Sequence, residues 1–225
     1  MSERVRIAIW ISLLGFILSG PVGLVLVTWF GPQPEWTSAV IFAEHYREIQ
    51  ALPYYFGFFL IGGMVMLVLA HFLDYRQKKD PIAWKPGLSL GLVLVFATLI
   101  TFNYICQTTF VRQMATHYQP LYEPLLAAFS MSNPFSLAWA IEMWGYGILG
   151  ISLWLLSDQY REKNRWIPPL LLLNMILSLA SLAWTIVDAR WVLTGVGLGL
   201  YLAWNVLMIL ILAMILKQSG KFSST

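Results

Sequence analysis

Long apolar stretches are the feature that most restricts the fold of this chain. Each is close to or longer than the ~20 residues with which an α-helix crosses the hydrocarbon core of a bilayer. Only 11% of the 225 residues are charged, well below the ~25% that is common in soluble domains. The sequence therefore predicts a single all-α domain over residues 1–225 with six transmembrane helices. Their expected bounds are 7–30, 53–75, 86–111, 134–157, 167–187 and 191–216.

The basic residues indicate how these helices are oriented. Eleven of the 14 lysines and arginines fall at one set of helix ends, and Arg47, Arg112 and Arg190 fall at the other. Cytoplasmic loops carry the excess of basic residues, so the pattern predicts that both termini are cytoplasmic. The net charge of +3 then serves orientation and contact with the lipid bilayer, and we expect no nucleic-acid partner. The eleven are Arg4, Arg6, Arg76, Lys78, Lys79, Lys85, Arg161, Lys163, Arg165, Lys217 and Lys221.

Two outer connections are long enough to contain short interfacial helices. Residues 31–52 combine apolar and charged side chains, with Thr37 or Ser38 placed to cap a helix. Residues 112–133 have a similar character. These segments either cap the outer face of the protein or lie as tethers in the headgroup zone, and the sequence leaves both alternatives open.

One carboxylate lies deep within a predicted span. Glu142 is roughly 22 Å from the inner end of the fourth stretch, counted at 1.5 Å per residue, which places it in the outer half of the bilayer. An ionisable residue at this depth is costly and suggests a functional site. Asn103 and Gln107 reach a similar depth on the third stretch and share one helix face. We therefore expect an outward-facing polar pocket between the third and sixth helices.

Further residues are expected to complete this pocket. The Glu142 carboxyl is expected to be neutral, paired with a cation such as Arg112, or hydrogen-bonded to Asn103 or Gln107. The last two arrangements would serve equally well to hold helices together. The candidate ligand-binding residues are Glu142, Asn103, Gln107, Trp184, Tyr201 and Arg112, and His45, Glu48 and Asp188 join Arg112 as candidates for the mouth of the pocket.

Other polar and aromatic residues in the spans have a simpler interpretation. Asn174 and Asn205 are expected to make contacts between helices. The deep aromatic residues either pack against one another or line a cavity for a flat or lipidic ligand. They are Trp139, Trp144, Tyr146, Trp184, Tyr201 and Trp204.

Several kinds of chemistry are excluded or disfavoured by the sequence. Cys106 is the single cysteine, so an internal disulfide, a CxxC redox pair and a thiolate metal site are excluded. His71 and Asp74 lie one turn apart, but two ligands alone do not make a metal site. We expect neither a metal nor a cofactor.

Glycine and other small residues predict close approaches between helices. Such stripes pack helices within one chain or across a homodimer, and the sequence permits both. Gly20-Pro21 additionally predicts a kink in the first helix, because proline removes a backbone hydrogen bond. The stripes are Gly15, Ser19 and Gly23, then Gly87 and Gly91, and then Gly195 and Gly199.

The segment from 143 to 188 resembles part of a known family. It comprises a Trp- and Gly-rich run over Met143–Trp154, a short basic loop, the proline-started Trp166-Ile-Pro-Pro-Leu and a span ending at Asp188. This layout resembles the second half of a family of uncharacterised bacterial six-helix integral membrane proteins, described only as a domain of unknown function. The resemblance implies a protein of the bacterial inner membrane and supplies no activity.

These observations lead to three functional hypotheses. The first is a membrane protein that binds a small apolar or lipid-like ligand in the outward-facing pocket, for transport or sensing. The second is an intramembrane enzyme that acts on a lipid or isoprenoid with Glu142 as acid or base. The third is a structural subunit of a membrane complex. No sequence motif for catalysis is present, so the first hypothesis is favoured and the question of an enzyme stays open.

Overall fold

The computed structural model of the protein describes residues 3–76 and 84–220. Every regular element in these two ranges is helical, which confirms the predicted all-α class. The α-helices are α1 (Glu3–Ile17), α2 (Gly23–Phe30), α3 (Ala39–Glu44), α4 (Leu52–Arg76), α5 (Trp84–Ile105), α6 (Arg112–Thr116), α7 (Glu123–Phe129), α8 (Leu137–Trp154), α9 (Ile167–Val187) and α10 (Gly195–Gly220).

Five of the described helical segments are long and apolar enough to cross a membrane, which indicates a multi-pass membrane protein. The fourth predicted stretch is not one of them. It folds as α8, whose 18 residues lie at the short end of the ~17–25 of a span and include the ionisable Glu142, which lowers the mean hydropathy of the segment. Six spans and their orientation therefore stay predictions, and Lys78, Lys79 and Lys221 lie outside the described residues. The five segments are Glu3–Phe30, Glu48–Arg76, Trp84–Thr116, Ile167–Val187 and Gly195–Gln218.

The long helices form a closed ring in chain order, in which neighbouring helices run antiparallel. On α1, Gly15 lies against the backbone of Leu60 on α4. Between α5 and α8, the Ser89 hydroxyl donates to the Ser152 carbonyl, and the Ser152 hydroxyl donates to the Ser89 carbonyl, each over 2.8 Å. At the end of the chain α10 packs on both α9 and α1. The ring therefore encloses a central space.

Apolar side chains fill this central space at one end only. Buried residues such as Ile9, Met64, Phe96, Leu149 and Met208 form a continuous core. They lie toward the end of the ring at which the chain carries most of its basic residues. The packed core at this end leaves the opposite end of the ring as the place for a cavity.

The two long connections form a compact cap beside that opposite end. Phe42 of α3, Met114 of α6 and Leu126 of α7 share a second, smaller apolar core. The helix α3 begins after Ser38, whose hydroxyl accepts a hydrogen bond of 3.3 Å from the Ile41 N–H. This confirms Ser38 as one of the two predicted helix caps. The two connections pack on each other.

Two π-helical turns interrupt the long helices. The first, Leu18–Val22, contains Pro21 and separates α1 from α2, so the irregularity predicted at Gly20-Pro21 is present. Beyond it α2 packs on α4 and on the 3-10 turn Glu48–Ala51. The second, Cys106–Val111, ends α5 and is not apparent from the sequence. Single π-helical turns frequently mark functional sites.

Candidate functional site

A cavity of about 450 Å³ lies within the ring, at the end away from the apolar core. This volume falls within the range of small-molecule sites. Its wall is mainly apolar and aromatic, and it draws residues from the first helix as well as from α4, α5, α8, α9 and α10. The sequence placed the pocket among the last four long helices, and the structure adds the first two to its wall.

The Glu142 carboxyl forms part of the wall of this cavity. Its side chain is 8% exposed, and both of its oxygens accept hydrogen bonds from α5. The Asn103 amide donates to Oε2 over 2.8 Å, and the Tyr104 hydroxyl donates to Oε1 over 3.0 Å. Because the proton of Tyr104 is used in this way, the Tyr146 hydroxyl, 3.1 Å away, donates to Tyr104 in turn. Glu142 is thus held in place by neutral groups.

A second layer of hydrogen bonds fixes the orientation of Asn103. The Gln107 carboxamide donates to the Phe129 carbonyl over 2.7 Å and accepts from the Met131 N–H over 3.1 Å. Since each backbone group has a fixed polarity, Gln107 must then donate to the Asn103 carbonyl oxygen, 3.3 Å away. The Asn103 amide nitrogen is left to face Glu142 and the Ala138 carbonyl. The connection before α8 therefore determines which atoms face the carboxylate.

The six candidate residues occupy three kinds of position. Glu142 and Tyr201 line the cavity. Asn103 and Gln107 lie behind Glu142. Asn103 donates to Glu142, which is one of the predicted alternatives, and Gln107 donates to Asn103. Trp184 and Arg112 are not part of the described cavity wall.

The side chains of Trp184 and Arg112 have partners of their own. The Trp184 ring is 43% exposed and stacks on Trp191, with ring centroids 5.3 Å apart. Arg112 forms an ion pair with Glu48. The proposed pairing of Arg112 with Glu142 is therefore replaced by this contact at the edge of the cap.

Two further candidates for the mouth make local contacts. The His45 ring contacts the Ile41 carbonyl at 3.0 Å. Asp188 caps the 3-10 turn Ala189–Leu193 by accepting from the Arg190 N–H.

Several residues of the cavity wall carry buried polar atoms that have no hydrogen-bond partner within the described part of the chain. Asn205, 2% exposed, leaves its carboxamide oxygen unpaired next to Gly20, where a Cβ atom would lie 2.6 Å from that oxygen. A buried polar group without a partner is unfavourable. Such atoms indicate groups that a ligand or water can satisfy. They are Gln33 Nε2, Gln50 Oε1, Trp139 Nε1, Ser178 Oγ and Asn205 Oδ1.

Sequence reasoning missed part of this site for identifiable reasons. Tyr104 and Ser178 have residue types that pack in any membrane helix, so nothing singled them out. Asn205 lies beside Gly20 of the first helix, as expected of a contact between helices, while its amide donates within α10, to the Tyr201 carbonyl at 2.7 Å. Asn174, the other asparagine expected to join helices, does so by accepting a hydrogen bond from Trp204 Nε1 over 2.9 Å.

A small polar pocket of about 30 Å³ lies between the cavity and the cap, which is the space that one water needs. Tyr46 and Gln50 line it. Burial raises the pKa of the Tyr46 hydroxyl, and the nearby Glu48 carboxylate raises it further. The hydroxyl therefore stays protonated, and it has no partner within the described residues.

His71 is buried at the other end of the ring and takes part in a different contact. Its Nδ1 donates to the Leu67 carbonyl over 2.8 Å, so Nε2 is the acceptor for the Tyr160 hydroxyl. The bond joins α4 to the turn after α8. Among the described residues no three His, Cys, Asp or Glu side chains are grouped closely enough to hold a metal ion.

This arrangement supports binding of a molecule with an apolar body and a polar group near Glu142. The carboxylate is positioned by the Asn103 and Tyr104 donors, and the surrounding wall is mainly apolar. Comparison of the chain with models of known protein families, with curated proteins and with solved structures gives no match.

Proposed function

We propose that this protein is a six-span protein of the cell membrane that binds a lipid-like ligand in the central cavity, for transport or for sensing. The observation that carries the proposal is a mainly apolar cavity of about 450 Å³ with one buried carboxylate in its wall. An ionisable residue at membrane depth suggests function. The wall fits a hydrophobic body, and Glu142 offers the point at which a polar group would be recognised.

The position of the cavity also favours a ligand that arrives from the lipid. Three of its described lining residues are also exposed on the surface of the protein, namely Leu24 on α2 and Leu198 and Tyr201 on α10. We therefore place the opening of the cavity between α2 and α10. In a bilayer this surface would face acyl chains, so a lipid-like molecule would enter laterally.

The proposed topology counts α8 as a span, the fourth of six, and places both termini in the cytoplasm. The excess of basic residues at one end of the ring supports it, and the cap would then lie on the outer surface. Glu123 and Glu162 are exposed at opposite ends of the ring. Cysteines introduced by Glu123→Cys and Glu162→Cys are expected to react differently in intact cells with a maleimide that does not cross membranes.

In that experiment only Glu123→Cys is expected to be labelled before the membrane is opened. The native Cys106 is buried and provides a low background. Labelling of both positions from outside would contradict the topology.

The ligand proposal predicts a co-purifying molecule that depends on Glu142. Native mass spectrometry of the protein in mild detergent should show a discrete adduct in the wild type, with at least about a tenfold lower occupancy in Glu142→Gln, because the variant loses a charge-assisted hydrogen bond. Glu35→Gln, an exposed site outside the cavity wall, is the matched control and should retain the adduct.

Two other outcomes would favour the rival hypotheses. If neither protein carries an adduct and Glu142→Gln is merely less stable, Glu142 holds helices together and the structural-subunit hypothesis gains. If the wild type converts an added lipid or isoprenoid and Glu142→Gln does not, the protein is an enzyme. Tyr146 lines the same cavity and would then be the second catalytic group to test.

A further inference from the structure

The charge of the cavity wall restricts the class of ligand. Glu142 is the only acidic or basic side chain among the described residues that line the cavity. The sequence offered Arg112 as a counter-ion for Glu142. In the structure Arg112 pairs with Glu48 and is not part of the described cavity wall. An anionic headgroup would meet a carboxylate with no basic side chain from the described wall to offset it, which is unfavourable at low dielectric.

The hydrogen-bond network fixes Oε2 of Glu142 as an acceptor. Both of its oxygens already receive hydrogen bonds from Asn103 and Tyr104, which suits the ionised carboxylate, since that form only accepts. Gln107, which is held between the Phe129 carbonyl and the Met131 N–H, fixes the direction of the hydrogen bond from Asn103 to Glu142. A carboxylate oxygen accepts more than one hydrogen bond, so Glu142 can receive a further donor from the cavity.

Other atoms of the wall add acceptors and aromatic faces. The carboxamide oxygens of Asn205 and Gln50 have no partner within the described residues, so each can accept a hydrogen bond from a ligand. Tyr146 donates its proton to Tyr104, so its oxygen can accept from the cavity. The ring of Trp204 packs edge-on to Tyr146, with centroids 5.3 Å apart, and both line the cavity. Aromatic rings around an acidic group are a recurring way to bind an ammonium group, through cation–π attraction.

We infer that the cavity binds an amphiphile with a protonated amine headgroup, which pairs with Glu142 while its hydrocarbon chain lies along the apolar wall and between α2 and α10. This inference rests on the proposed function, because it names the ligand class of the same cavity. The ammonium group neutralises a carboxylate that is otherwise buried without a cationic partner from the described cavity wall. Its N–H groups can donate to Glu142, and the unpaired oxygens of Asn205 and Gln50 are further acceptors in the same wall.

The test compares three probes with the same twelve-carbon chain and different headgroups. Dodecylamine, dodecanol and dodecyl phosphate are titrated at pH 7 into the full chain in an uncharged detergent, and bound probe is measured by native mass spectrometry. Wild type is expected to bind the amine at least about tenfold more tightly than the phosphate, as a charge-assisted hydrogen bond predicts. In Glu142→Gln the amine should lose about tenfold or more, and dodecanol should lose less than the amine, because its hydroxyl carries no charge.

The outcomes separate this inference from the proposed function. If dodecanol or dodecyl phosphate binds wild type as tightly as the amine, the cavity binds amphiphiles but the headgroup class is wrong. If none of the three binds and no co-purifying adduct is present, the proposed function fails as well. Equal amine binding by wild type and Glu142→Gln also overturns the inference. The ranking of probes on wild type needs no variant, so it decides the question even if Glu142→Gln does not fold.

Discussion

Replacing Gly15 by alanine is expected to destabilise the protein by about 3 kcal/mol, at the upper end of the usual cost of overpacking. A Cβ atom at this position would lie 2.3 Å from the Leu60 backbone nitrogen on α4. Backbone atoms cannot move aside as a flexible side chain does, so the two helices must separate. Unfolding by SDS in mixed micelles, followed by circular dichroism, measures the loss.

Gly62→Ala provides the matched control for this substitution. Gly62 lies on α4, within two residues of Leu60, and no other described atom lies within 4 Å of where its Cβ would be. Because alanine favours a helix over glycine by roughly 0.5–1 kcal/mol, this variant should be as stable as wild type or slightly more stable. Equal losses in both variants would mean that the α1–α4 contact is not the cause.

This pair of glycines shows what the small-residue pattern predicts and what it does not. The Gly15 stripe marks a close approach within the chain, where Gly15 meets α4. Gly91, Gly195 and Gly199 have no described neighbour within 4 Å of a built Cβ, so the same pattern at these positions does not pack within the chain. The homodimer alternative stays a prediction there, because spacing alone does not indicate which surface a stripe faces.

The fold class was more accessible from the sequence than the site was. Apolar length fixes a membrane helix almost without regard to its neighbours, since the backbone must be hydrogen-bonded within each helix. Helix α8 is the exception to this rule. Its apolar stretch is interrupted by Glu142, and the same stretch contributes to the cavity wall. The sequence does not indicate which face each helix turns toward the centre of the ring. That orientation decides that Trp184 stacks on Trp191 while Tyr201 lines the cavity.

The sequence predicted that Asn103 lies near Glu142, but not which of their atoms donates and which accepts. Depth along the two helices was enough to place them near each other. The direction of each hydrogen bond depends on Phe129 and Met131, which belong to α7 and the connection after it. No pattern in the third or fourth stretch carries that information.

Asn103→Leu is expected to cost about 2 kcal/mol, because it removes the donor to Glu142 Oε2 and leaves the Ala138 carbonyl without that partner. Glu142→Leu alone should cost less, since Asn103 keeps Ala138 and Gln107 as partners. The double variant should then be more stable than the sum of the two losses predicts, by about 1 kcal/mol, the size typical of polar pairs in membrane proteins. The same SDS unfolding experiment measures all four proteins.

A second cycle with Asn174→Leu distinguishes this coupling from a general loss of polar contacts. Asn174 is also a buried asparagine, but its bond is to Trp204 and not to Glu142. Its effect should therefore add to that of Glu142→Leu without coupling. If Asn103 proves equally additive, the carboxylate is held by Tyr104 alone, and the polarity that Gln107 imposes does not reach it. If only Asn103 couples, its amide is the donor that holds Glu142 as the acceptor on which ammonium recognition depends.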